Sequence, residues 1–244
     1  EFLITLRRAL RNNRETQYAK DSQRFFNADE EMRCIGVRTP IVRQLAREYF
    51  HKLSSQKKED VFALCEQLLV SGLQEESVIA LQWASAFRRQ WAIKDFRRFE
   101  QWLKKFVHNW AQCDDACARI LGPMTLQFPQ LVPQTFLWTR SRNRWVRRAA
   151  AVSLIVPIRN DAAFLPQVFH VAQTLLHDGD PMVQKGYGWM LKEASANHEY
   201  DVFDFVMRNR ATMPRTALRD AIEKLPSSKR AKAIALLGAS AQAS

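Results

Sequence analysis

An all-α fold, read as a HEAT-like helical-repeat solenoid with a concave basic groove, is predicted by three observations. Apolar residues recur at helical spacing along almost the whole chain, with no strand-like alternation. Glycine is scarce, at 7 of 244 residues, which disfavours turn-rich β folds and doubly wound sheets. A helix-start pattern also returns: Asn143–Arg148 and Asp180–Lys185 each place a cap-type residue, then a valine, then a cation, and Val146 and Val183 lie 37 residues apart. That period suits two helices per repeat.

The elements follow in order. Phe2, Leu3, Leu6 and Leu10 mark a first helix. Thr39-Pro40 reads as an N-cap followed by a first-turn proline, with Ile41, Val42, Leu45, Ala46 and Tyr49 on one face. Val61–Leu69, Val78–Phe87 and Phe96–Phe106 continue the pattern. Asp180-Pro181 repeats the cap-and-proline signal before Val183–Glu193, and helices are expected near Val202–Met207, Thr216–Leu225 and Lys229–Leu237. The connections are short, so the helices should run as antiparallel pairs. One domain over residues 1–237 and a disordered tail over 238–244 are expected.

Composition narrows the partner. Hydrophobic residues make up 47% of the chain, too many for a disordered protein. The net charge of +12 favours an anionic partner such as a nucleic acid. Cys34, Cys65, Cys113 and Cys117 show neither a CxxC spacing nor a disulfide framework, which fits a reducing cytoplasm. The apolar run Ala149–Ile158 is too short to span a bilayer, so no membrane association is expected. Cys113 and Cys117, one turn apart with His108 near them, read as helix packing, so no metal and no cofactor is expected. The chain begins at Glu1 rather than Met, so native residues before it are expected.

Charge and aromatics meet in one stretch. Arg140, Arg142, Arg144, Arg147 and Arg148 fall within nine residues, with Trp145 among them and Trp138 just before. Guanidinium groups match phosphate oxygens, which makes the cluster a candidate clamp; the alternative is a solvated helix start whose stems lie along the surface. Three pairs have one-face helical spacing: Trp110 with Asp114, Arg144 with Arg148, and Lys185 with Trp189. Stacked helices would let these pairs line one groove. For each tryptophan taken singly, core packing is the commoner outcome.

At these residues the sequence resembles the AlkD family of DNA alkylation repair glycosylases. The match runs in order through Gly36-Val37-Arg38-Thr39-Pro40 with Arg43, Asn109–Asp114 as far as Gly122, Trp145–Ala150, and Gln184–Trp189 with Leu191 and Glu193. The resemblance implies stacked HEAT-like helical pairs acting on duplex DNA that carries cationic lesions such as 7-methylguanine or 3-methyladenine, without full base flipping. It implies a catalytic role for Asp114, contacts from Trp110 and Trp189 to the lesion's deoxyribose, and a backbone contact from Arg148. DNA contacts are expected from Arg38, Arg43, Arg144, Arg147, Arg148 and Lys185, in a monomer. Ala111, Cys113 and Asp115 depart from the family pattern; Asp115 makes the assignment to Asp114 depend on register, which Gly122 supports. Two other functions stay open: a non-catalytic protein binding damaged or branched DNA, and a helical protein–protein scaffold.

Overall fold

The computed structural model describes residues 1–26, 30 and 32–235. The expected tail, 238–244, and Leu237 lie outside them. Among the described residues the structure is helical, with a single isolated bridge between Arg33 and Leu73 and no strand. None of these helices is long and apolar enough to cross a membrane. The chain forms two compact units, Glu1–Met124 and Thr125–Ser244.

In the first unit, α1 (Phe2–Asn12), α2 (Thr16–Gln23), α3 (Thr39–His51), α4 (Lys58–Leu69), α5 (Gln74–Ala86), α6 (Asp95–Phe106) and α7 (Trp110–Ala116) follow one another. α8 (Gly122–Gln127) carries the chain out of the unit. Most of the expected apolar faces are buried, Leu3, Leu6 and Leu10 in α1 and Val42, Leu45, Ala46 and Tyr49 in α3, while Phe2 and Ile41 at the helix starts stay partly exposed. The start of α3 is shifted by one residue from the expected cap. Arg38 occupies the cap position and Thr39 is the first helical residue, because the capping geometry depends on the backbone turn before the helix, not on residue type alone. α5 packs between α3 and α4, and its Trp83 donates to the Ala46 carbonyl at 2.8 Å. Phe62, Phe99 and Trp102 meet edge to face, with centroids 5.3 to 5.8 Å apart, the favoured geometry for aromatic pairs.

Buried carboxylates fix the loops of this unit. Glu75 accepts from the backbone N–H groups of Ile35, Gly36 and Val37 at 2.8 to 3.1 Å. Gly36 has φ +98, and a Cβ there would stand 2.7 Å from the Glu15 carbonyl oxygen, so only glycine fits this turn. Lys58 and Asp95 form a buried pair at 2.7 Å, and Lys58 also donates to the Gln90 carbonyl.

The second unit holds α9 (Val132–Phe136), α10 (Arg144–Val152), α11 (Ile155–Asn160), α12 (Leu165–Thr174), α13 (Pro181–Ser195), α14 (Glu199–Asn209), α15 (Arg215–Ile222) and α16 (Ser227–Ile234). The two ends of the sequence echo are both true caps. The Asn143 side chain accepts from Trp145 N at 2.9 Å, and that of Asp180 from Met182 N at 2.8 Å. The apolar run Ala149–Ile158 is divided between α10 and α11, as Pro157 cannot donate to the carbonyl four residues back. Trp138 and Trp145 are core residues. α13 packs against α10 and α15, and at Gly188 a Cβ would meet the Ala217 carbonyl oxygen at 2.8 Å.

Candidate active site

The α7 site begins at Asn109. Its buried side chain caps the helix, accepting from Gln112 N at 2.9 Å. Gln112 accepts in turn from His108 N, and reaches the Gly72 carbonyl and Ser77 Oγ at 3.4 and 3.5 Å. The start of α7 is thus tied to the α4–α5 turn. Trp110 and Asp114 fall one turn apart in this helix, as their spacing predicts, and both are partly exposed. Trp110 donates from Nε1 to the Phe25 carbonyl at 3.3 Å and stacks on Phe26, centroids 5.3 Å apart. No spacing or motif in the sequence signals that aromatic cover.

Asp115 is used differently. Its Oδ1 accepts from Arg119 Nε at 2.6 Å, while Oδ2 is buried without a hydrogen-bond partner among the described residues. Burial pushes its carboxyl above the usual range, against the pull of Arg119 and Arg43, and the Asp114 charge adds to the rise. Exposed Arg43 therefore stands within electrostatic reach of Asp115. Immediately after the carboxylates the helix widens into a π turn over Cys117–Leu121. Pro123 explains it: without an N–H it cannot close the α-helical bond to Arg119. Such wide turns recur at functional sites. Cys113 and Cys117 are fully buried, and among the described residues no group of three or more metal-ligating side chains converges.

Arg38, the other basic candidate of this unit, is exposed and forms a fork with Glu15 at 2.8 to 3.1 Å.

In the second unit the arginine cluster is partly drawn into the fold. Arg147 grips Asp178 with two nitrogens, at 2.6 and 3.3 Å, and donates to the Ser141 and Arg142 carbonyls. Arg144 lies over the Trp145 ring at 4.6 Å and reaches Asp180 at 3.4 Å. Both arginines thus hold the cap loop of α13. Arg148 is buried and donates to the Met182 carbonyl. Lys185 is exposed. Burial pushes the Asp220 carboxyl up, and the charges of Lys192, Lys185 and Arg148 pull against that rise.

Trp189 is partly exposed and donates to Glu193 Oε1 at 3.1 Å. The other oxygen of Glu193 takes Arg159 and Lys224, each at 2.8 Å. Burial alone would raise the Glu193 carboxyl; the hydrogen bonds and charges of Lys224 and Arg159 outweigh it and hold the carboxyl below its usual range. Trp189 is oriented by an ionised, doubly paired carboxylate.

No curated protein matches the chain in sequence. A solved structure described as a predicted DNA alkylation repair enzyme from Enterococcus faecalis superposes with a TM-score of 0.76 at 15% identity, covering 88% of this chain and 98% of that one; at that identity the likeness is one of fold. The family model for the DNA alkylation repair enzyme matches residues 6–225, nearly the whole described chain and every candidate site residue, and the chain belongs to that family.

Proposed function

We propose that this protein is a DNA glycosylase that hydrolyses the N-glycosidic bond of positively charged N-alkylated purines, such as 7-methylguanine and 3-methyladenine, in duplex DNA. The observation that carries the reading is the pairing on α7: Trp110 and Asp114 lie one turn apart on one partly exposed face. Family membership over residues 6–225 supports it.

The chemistry suits these groups. Alkylation at N7 or N3 places positive charge on the base. When the bond from the sugar C1′ to N9 breaks, its electron pair neutralises the base and leaves an oxocarbenium-like sugar. The Asp114 carboxylate opposes that charge and takes the proton of the water that attacks C1′. The indole faces of Trp110 and Trp189 add cation–π stabilisation of roughly 0.5–2 kcal/mol each. Because the leaving base is already cationic, no acid need protonate it.

Duplex binding is assigned first to Arg38, Arg43 and Lys185, which are exposed. The surface pair of Arg38 with Glu15 exchanges for phosphate at little cost. Arg148, held over the start of α13, contributes a fixed positive charge, and Arg144 and Arg147 contribute theirs through the α13 cap loop. The test is release of free base from methylated duplex DNA. Wild type should liberate 7-methylguanine and the Asp114→Asn variant should not. No release by wild type would leave a DNA-binding protein without this activity.

A further inference from the structure

Beside α7, the first unit contains a cleft of about 290 Å³ that has only Trp110 in common with the proposed chemistry. Tyr18, Phe25, Phe26 and Trp110 supply its aromatic walls, and Gln74 and Asp21 are among its polar lining residues. Two features need explaining. Phe25 is 76% exposed, although a large apolar side chain next to three other aromatics would ordinarily be covered. Gln74 has a buried Oε1 with no hydrogen-bond partner among the described residues, a costly state unless a donor reaches it. Asp21 adds a second acceptor: Gln17 and Arg24 both use its Oδ1, at 3.1 and 3.4 Å.

Stacking surfaces together with acceptors specify a ligand. It is flat, apolar on its faces, and carries N–H donors on its edge. Among the described lining residues a phosphate would meet the Asp21 carboxylate and no cation. An aliphatic chain would leave the Gln74 oxygen unpaired. A nucleobase meets both demands, because every base has a π face and adenine, guanine and cytosine carry an exocyclic amino group.

We propose that the Tyr18–Phe25–Phe26–Trp110 cleft receives one unstacked DNA nucleobase, stacked on these rings with its amino edge toward Gln74 and Asp21. The proposal rests on the reading of the protein as DNA-binding, and adds a base-binding site that shares Trp110 with the proposed chemistry and does not include Asp114. Bases with an amino group are preferred over thymine: an exocyclic amino group carries two N–H donors, enough for both Gln74 and Asp21, whereas thymine has a single N3–H flanked by two carbonyl oxygens that would face these acceptors.

The test uses the full chain and three duplexes: fully paired, with one unpaired 2-aminopurine, and with one unpaired thymine. The readout is the ratio of bulged to paired affinity, together with 2-aminopurine emission. Wild type should bind the 2-aminopurine bulge at least about fivefold more tightly than the paired duplex, and its emission should fall as the base stacks. Phe25→Ala should bring the ratio toward one; its exposed side chain makes it a safe substitution for folding. Gln74→Leu should erase the preference for 2-aminopurine over thymine. A ratio that persists in Phe25→Ala would mean that the protein senses bulge flexibility, not a base, and would overturn the proposal. Wild type that binds paired duplex with no bulge preference would remove this site alone. Wild type that binds none of the duplexes would remove the DNA-binding reading with it.

Discussion

Arg148 lies directly across Gly186: a Cβ built on the glycine would stand 3.0 Å from Arg148 Cγ and 3.5 Å from its Nη1. The guanidinium cannot swing clear, because Nη1 is bonded to the Met182 carbonyl. A glycine inside α13, unfavourable for a helix by itself, is what lets a buried cation sit against it.

Gly186→Ala should therefore lower stability despite the better helix propensity of alanine. Gly188→Ala should cost more, about 1–3 kcal/mol, because its Cβ would meet backbone, the Ala217 carbonyl oxygen at 2.8 Å. Thermal denaturation of the two variants checks the order. If Gly188→Ala is as stable as wild type, α13 and α15 are not packed this closely.

Asp114→Asn should lower base release by roughly 10²-fold or more, the scale for removing a group that acts on transition-state charge. Duplex affinity should hold or rise slightly, since an anion has been removed. Asp115→Asn should affect release far less, its carboxylate being tied to Arg119 at 2.6 Å. Single-turnover excision of 7-methylguanine, measured with duplex binding, separates the two. Equal loss in both variants would sink the assignment to Asp114.

Exposed and engaged cations should behave differently. Lys185→Ala and Arg43→Ala should weaken DNA binding, each making the salt dependence shallower by about 0.9 for every phosphate no longer neutralised. Arg147→Ala should act on the fold, costing about 1–3 kcal/mol, because it strips Asp178 of a part-buried partner. Binding titrations at several salt concentrations and thermal melts check both. A Lys185→Ala slope identical to wild type would remove that residue from the interface.

Glu193 predicts a pH dependence. Its carboxyl is held below the ordinary value of 4.5 in the folded chain. The stabilisation is thus fully present above that value and is lost as pH falls through the lowered one. Glu193→Gln should melt below wild type at pH 7 and converge with it in strong acid. A gap that stays constant across that range would mean that the charge on Glu193 contributes nothing.

Local order along the chain was legible because it depends on near neighbours. The periodic faces of α1, α3 and α13, the Asn143 and Asp180 caps, and the α7 pairing of Trp110 with Asp114 all rest on residues within a turn or two. The cap expected at Thr39 moved to Arg38 because loop 33–38 takes its shape from Glu75, some forty residues on.

Residue order alone establishes a helical chain, its principal faces, a strong positive charge and the candidate carboxylate. Folding then settles how each charge is used. Arg147 and Arg148 look alike in sequence, yet one grips Asp178 and the other is buried on Gly186 and the Met182 carbonyl. Packing likewise places Phe26 over Trp110, and sets Glu193, with Arg159 and Lys224, to orient Trp189. An ionic or aromatic side chain is committed by whichever partner folding brings within a few ångströms, and those partners lie up to 85 positions apart, as between Trp110 and Phe25.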